Sequence, residues 1–359
     1  MKAAVCREFG TPLVIEEIEI DPPKAGEVKV ALAACAICHS DITYMNGGWG
    51  GTLPAVYGHE ASGVVESIGP GVTRIAPGDH VIVTLLRSCG ECFYCVQGAL
   101  NMCETSFPLD KQSCLRGQDG GVIHQGLRTA AFAEYAVVDQ SQTAAIPKEL
   151  PFDRASLLAC GVITGFGAVV NTASVPSGSS VVVVGTGGVG LNSVQGAVLA
   201  GANPIIAIDP VASKRNAAKT FGATDAIDPA DGNAYNAVRT LTEGRGADYV
   251  FITVGSKTAI EQGVRLMRKA GTMVIVGMPP SGVMTEIETV KLADSGQRII
   301  GSKMGSTRLR EDIPVLVAHY QEGHLKLDEL ISGRYSLDQI NDAIASVTRN
   351  EALRNVIVF

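Results

Sequence analysis

The sequence predicts an α/β protein of two domains, a β-rich barrel or sandwich followed by a doubly wound parallel sheet. Three observations predict it. The chain has 359 residues, more than one hydrophobic core usually serves. Up to about Pro151 it consists of short alternating runs broken by Gly and Pro, the pattern of half-buried strands. From about Pro176 onward, apolar runs alternate with helical ones, as in βαβ units on a parallel sheet.

The first region offers "VIEEIEI", "EVKVALAAC", "GVVESIG" and "GDHVIVT", each with side chains alternating between two faces of a strand. The second offers "VVVVG", "LNSVQGAVLAGA", "PIIAID", "ASKRNAAKTFGA", "DYVFITVG" and "TMVIVG" in turn. After about Ser302 the pattern predicts two helices and a last strand. "SLDQINDAIASV" carries a Ser336/Gln339 capping box with Leu337, Ile340, Ile344 and Val347 on one face. "RNVIVF" closes as a strand whose sheet the pattern does not name. No internal repeat or low-complexity tract interrupts the chain.

Composition narrows the function. Apolar residues make up 46% and charged residues 18%, a globular profile. A formal charge of −7 and a pI near 5.4, with no basic run, argue against nucleic-acid binding and for a small-molecule partner. "MKAAVCREFG" lacks the apolar core of a signal peptide, and no uninterrupted apolar run reaches bilayer length. A cytoplasmic protein without membrane contact is expected. Nine cysteines, an odd number in a long chain, point to metal or catalytic use rather than to disulfides.

"VVVVGTGGVG" sets Gly185, Gly187 and Gly190 as G-x-G-x-x-G, with Gly188 and Val189 inside the turn, directly between a strand and a helix. Glycines so placed let the backbone approach a pyrophosphate at the helix N-terminus; the alternative is plain helix-on-strand packing. Asp209 ends the next strand, where a carboxylate accepts hydrogen bonds from a ribose diol and repels a 2′-phosphate. NAD is favoured over NADP. Lys214 and Arg215 follow closely; Lys214 is either a ribose contact or a solvated helix residue.

The cysteines form two kinds of cluster. Cys89, Cys92, Cys95 and Cys103 lie within one glycine-containing loop, enough thiolates to close a tetrahedral structural zinc or, as the rival reading, to hold an iron–sulfur cluster. The other set is dispersed: Cys38 in "CAICHSD", His59 and Glu60 in "GHE", and Cys160 in "LLACGVITG". A Cys₂His set with an open fourth position is a known catalytic zinc arrangement. Nothing in the spacing alone assembles residues 38, 59 and 160.

"CHSD", "GHE", the four-cysteine loop, "LLACGVITGFGAV" and "VVVVGTGGVGL", in that order, resemble the zinc-dependent alcohol dehydrogenases of the medium-chain dehydrogenase/reductase family. The resemblance covers nearly the whole chain. It implies a GroES-like catalytic domain with both zincs, residues 1–163 and 304–359, and a Rossmann NAD-binding domain, residues 164–303, with the active-site cleft between them. It implies Cys38, His59 and Cys160 as catalytic zinc ligands, Glu60 behind the metal as a transient ligand, and Asp41 bracing His59. Arg354 and His39 are implied at the cofactor pyrophosphate and Thr164 at the nicotinamide amide; a plain surface role is the alternative for His39 and for Asp41. Ser40 matches the hydroxyl that takes the substrate proton. Where the family often continues the relay to a histidine, this chain has Thr43, which is no base near neutral pH.

The reaction implied is reversible hydride transfer between an alcohol and NAD, giving aldehyde or ketone. Trp49 and Leu85 are either pocket residues or simple packing, and an apolar lining favours primary aliphatic or aromatic alcohols. A formaldehyde dehydrogenase acting on a thiol adduct shares every motif. A non-catalytic NAD-binding zinc protein is the alternative of another class, opposed by the open metal position. His80, His124, His319 and His324 have no motif around them and are expected to be structural. Relatives of this kind are homodimers or homotetramers joined through their Rossmann sheets.

Overall fold

The computed structural model describes all 359 residues, Met1–Phe359. Its chain divides into two compact units, Met1–Cys160 with Arg308–Phe359, and Gly161–Thr307.

The first unit holds two β systems. Lys2–Cys6, Val14–Ile20, Leu115–Gly117, Val122–Gln125 and Ala55–Val56 close into a small barrel. A seven-stranded sheet runs Thr143–Ala145, His80–Thr84, Glu60–Ile68, Glu27–Ala36, Arg354–Val358, Ile331–Tyr335, with Tyr135–Asp139 also pairing to Glu27–Ala36. Val28, Val30 and Cys35 of the central strand are fully buried and share a core with Val65, Val81, Val83 and Phe132. The alternation read from the sequence is thus a burial pattern. The last strand, Arg354–Val358, pairs antiparallel with Glu27–Ala36, placing Ile357 opposite Cys35.

The second unit is a six-stranded sheet ordered Asp225–Ile227, Ile205–Ile208, Val181–Val184, Ala247–Ile252, Met267–Ile275, Arg298–Gly301. In sequence order that is 3-2-1-4-5-6, and every pair is parallel. This is the doubly wound arrangement whose ligands sit at the carboxyl ends of the strands. Val181, Val182 and Val183 are completely buried, as continuous apolar runs in a covered parallel sheet must be.

One sequence expectation needs correction. Strand Ile331–Tyr335 escapes the pattern because it is an edge strand containing Gly333, with a register shift between Ile331 and Gly333. No uninterrupted apolar run reaches bilayer length, as read from the sequence, although one helical segment is long and apolar enough on average. The helical run Phe152–Thr172 meets that criterion by length and composition, with 83% of its most apolar window buried inside the protein. Asp153, Arg154, Ser156, Thr164 and Asn171 interrupt it. Cys160 lies in a π-type turn of this run, Leu158–Val162.

Candidate active site and metal centres

Strand register assembles the first cluster. Ala36 pairs with Glu60 and Cys35 with Ala61, so the end of one strand, Cys38, meets the start of the next, His59 and Glu60. Cys160 arrives on the helical run, which Ser62 and Thr84 pin by donating to the Phe152 and Ala159 carbonyls, both at 2.6 Å. The ligand atoms of Cys38, His59, Glu60 and Cys160 all lie within 4.8 Å of one another, and all four residues are buried. A zinc with ligands at about 2.0–2.3 Å needs such spacing.

Asp41 fixes the imidazole. It is the third residue of the helix His39–Met45, where its Oδ2 accepts the Cys38 N–H at 3.1 Å as part of a capping box. Its Oδ1 accepts from Gly58 N–H and pairs with His59 Nδ1, both at 2.9 Å, and the residue is fully buried. With Asp41 on Nδ1, His59 points Nε2, the nitrogen that would ligate a metal, into the cluster. That nitrogen is buried and has no hydrogen-bond partner, a costly state that a metal relieves. The Cys38 thiol is held well below its usual range, first by its hydrogen bond with Cys160 and, against burial, by His59.

Glu60 completes this set. One carboxylate oxygen takes a short hydrogen bond from Arg354 Nη2, and the other is buried without a partner. Burial pushes the Glu60 carboxyl up to about 7 against the pull of Arg354. Arg354, brought by the terminal strand, is 5% exposed. Burial lowers its basicity, but Glu60 and Cys38 outweigh that and raise it.

The second cluster is the loop Cys89 to Cys103. The Sγ atoms of Cys89 and Cys95 are 4.0 Å apart and those of Cys92 and Cys103 are 3.9 Å apart, close to the edge of about 3.8 Å that a tetrahedral zinc with 2.3 Å bonds demands. Peptide N–H groups of Glu91 and Cys92 point at Cys89 Sγ, at 3.5 and 3.2 Å, and Thr105 donates to it at 3.0 Å. The Thr105 hydroxyl first, then these amides, lower the Cys89 thiol to about 6. Burial drives Cys95 to about 12, the mark of a crowded thiol set that a divalent cation would deprotonate.

The glycine turn fits a dinucleotide. Gly185 adopts φ +87°. A Cβ on Gly190 would fall 1.9 Å from the Gly185 carbonyl oxygen, whereas one on Gly187 would meet nothing within 4 Å. The first glycine turns the chain, the last lets helix Gly188–Leu199 pack on it, and the middle one leaves open space at the helix start. Asp209 is buried beside the turn, accepting from Thr186 N at 2.7 Å and Val211 N at 2.9 Å.

The remaining sequence candidates fall as follows. His39 is exposed and Ser40 half-buried on the helix that Cys38 caps. Thr43 donates its hydroxyl to the His39 carbonyl at 2.9 Å. Thr164 is buried, with its hydroxyl 3.6 Å from Met304 Sδ. Lys214 is 8% exposed, which excludes the solvated reading. Trp49 packs edge-on against Tyr44 at 5.1 Å, and Leu85 is half-buried. His319 and His324 come together with Glu322 as a third, more exposed grouping, which a search for linear motifs passes over. Sequence reasoning also missed the Glu60–Arg354 pair and an Arg215–Asp228 pair; neither leaves a local signal.

A family model described as an alcohol dehydrogenase GroES-like domain matches residues 24–148, and one described as a zinc-binding dehydrogenase matches residues 188–322. An NDMA-dependent alcohol dehydrogenase of Amycolatopsis methanolica is 39% identical over 376 residues, covering 99% of this chain and 98% of its own. Two solved structures are similar throughout. An alcohol dehydrogenase zinc-binding domain protein from Burkholderia ambifaria has a TM-score of 0.95 and 35% identity, covering 100% of this chain and 98% of its own. Benzyl alcohol dehydrogenase from Acinetobacter calcoaceticus has a TM-score of 0.94 and 31% identity, covering 100% and 99%.

Proposed function

The chain belongs to the zinc-dependent alcohol dehydrogenases of the medium-chain dehydrogenase/reductase family, and on that premise we propose that it oxidises primary aliphatic or aromatic alcohols with NAD, using two zincs per chain. One zinc is held by Cys38, His59 and Cys160, and the other by Cys89, Cys92, Cys95 and Cys103. The observation that carries the catalytic assignment is the buried, unpartnered His59 Nε2 facing two thiols. When bound, zinc supplies a Lewis acid for the alcohol oxygen, and the dinucleotide accepts the hydride.

The chain's own residues supply the rest. Asp41 holds His59 in the ligating tautomer, and Glu60, anchored by Arg354, would serve the metal as a transient ligand. Ser40 takes the substrate proton. Thr43, whose hydroxyl is committed to the His39 carbonyl, is not the end of the relay, and the proton leaves to water or to another side chain. His39, Thr164, Gly185, Gly187, Gly188, Val189, Gly190, Asp209, Lys214 and Arg354 form the cofactor-binding set. Six of the nine cysteines serve zinc and none is disulfide-bonded, which suits a cytoplasmic enzyme. The chain assembles as a homodimer or homotetramer.

The test is an alcohol panel followed by NADH absorbance, with metal analysis of the same protein. Two zincs per chain and NAD-linked oxidation are expected, and Cys160→Ala should lose one zinc and turnover while still binding NADH. Retained turnover in that variant would refute the assignment. Activity with NDMA and no added NAD would align the chain with its Amycolatopsis relative instead. Formaldehyde oxidation that appears only after adding a thiol would identify the thiol-adduct branch.

A further inference from the structure

Asp209 and Asp228 occupy equivalent places on neighbouring strands. The parallel register pairs Ile208 with Ile227, so each aspartate is the first residue beyond its strand, at the ligand-binding edge of the sheet. The Asp209 N–H donates to the Ile227 carbonyl at 3.3 Å, tying the two ends together. Helix Ala212–Thr220, which connects these strands, returns Arg215 to the same place. Its Nη1 donates to the Asp209 carbonyl at 2.8 Å and lies 2.8 Å from Asp228 Oδ2.

The Arg215 and Asp228 side chains are 20% and 24% exposed, so the pair borders solvent. Its neighbour Lys214, the residue singled out by sequence, is buried. If Asp209 accepts the adenosine ribose, as proposed above, a 2′-phosphate added to that ribose meets two carboxylates and one guanidinium. Arginine is the side chain best shaped to chelate a phosphate. Here its charge is already cancelled. We infer that Asp228 is a cofactor-selectivity residue: it holds Arg215 neutralised beside the ribose site and thereby excludes NADP. Asp209 alone is half of the discrimination; Asp228 is the other half, acting through Arg215.

The inference predicts a specific pattern in a double-mutant cycle. NADH and NADPH binding to the zinc-loaded protein are measured by nicotinamide fluorescence in wild type, Asp228→Asn, Arg215→Ala and the double variant. Asparagine keeps the Oδ1 that caps the Ala230 N–H at 2.9 Å, and Asp228→Ser, also a good cap, repeats the measurement should the first variant fold poorly. Asp228→Asn should tighten NADPH about tenfold, the worth of one screened charge beside a phosphate, and leave NADH within about twofold. Adding Arg215→Ala should abolish the gain. Unchanged NADPH binding in both Asp228 variants overturns the inference, and so does a gain that persists without Arg215, which would reduce Asp228 to simple repulsion. NADH binding that is indifferent to Asp209→Ala would overturn the ribose assignment itself, whatever the Asp228 variants do.

Discussion

Replacing Asp41 by asparagine probes the catalytic cluster through the residue that touches most of it without ligating. Its carboxylate accepts three N–H groups: Cys38 N at 3.1 Å on one oxygen, and Gly58 N and His59 Nδ1, each at 2.9 Å, on the other. An asparagine has the same outline but one acceptor and one donor. With its oxygen toward Gly58 and His59, its NH₂ confronts the Cys38 N–H, leaving a buried donor unsatisfied at a cost of about 1–3 kcal/mol. With its oxygen toward Cys38, the NH₂ confronts Gly58 N–H and demands an unprotonated Nδ1, so the proton moves to Nε2 and the ligating lone pair is lost. The first orientation is therefore the better one. It keeps the tautomer but removes the negative charge that makes the imidazole a stronger ligand, a loss of about 10–100-fold in metal affinity.

The assay is zinc competition with a chromogenic chelator, in which the four-cysteine site is an internal control. The zinc bound at Cys38, His59 and Cys160 should weaken by that factor, turnover should fall with it, and the second zinc should not move. Unaltered affinity at the first site would refute the claim that Asp41 sets the ligand strength of His59. Loss of both zincs would show that the variant unfolds, and Tm measured in parallel separates the two.

Other predictions follow from packing and charge. Gly187→Ala should leave Tm nearly unchanged, since the new Cβ meets nothing within 4 Å, yet weaken NADH binding at least tenfold. Gly190→Ala, with its Cβ 1.9 Å from a backbone oxygen, should instead destabilise the fold, by about 2 kcal/mol or more; equal effects of the two on Tm would contradict the roles given to them. Cys103→Ser should release the four-cysteine zinc and lower Tm while the other zinc remains, as metal analysis would show. Asp153 pairs with Arg154 at 2.9 Å and Arg334 at 2.7 Å. Burial raises its pKa, but hydrogen bonds from Arg334 and Arg154 outweigh it and leave the carboxyl lowered. A lowered folded pKa gives stability that is complete above the unfolded value of about 3.9 and is lost as pH falls through the folded one. Asp153→Asn should therefore cost roughly 1–2 kcal/mol at neutral pH and flatten the decline of Tm below about pH 4.

What could be read from the sequence was whatever is local. The glycine turn, the four-cysteine loop and the aspartate after "PIIAI" each lie within one element and its flanks, so spacing alone constrains their geometry. The strand Ile331–Tyr335 was not legible because its edge position and Gly333 erase the alternation that marks a half-buried strand. The ligands Cys38, His59 and Cys160 were placed together only by resemblance. Their convergence depends on the pairing of Ala36 with Glu60 and on hydroxyl contacts from Ser62 and Thr84 to the helical run, none of which a linear pattern encodes.

Register explains why two of the missed features are charged pairs. Arg354 reaches Glu60 across 294 positions because the terminal strand is laid beside Glu27–Ala36, itself the neighbour of Glu60–Ile68. Arg215 reaches Asp228 because adjacent parallel strands end level with one another. In both cases a carboxylate at a strand end is paired with an arginine carried there by another element of the fold. Without Arg354, burial would push the Glu60 carboxyl higher still. The polarity of each site is thus decided by the order of strands in its sheet, and substitutions such as Asp228→Asn should retune ligand choice without touching any residue that a motif search would name.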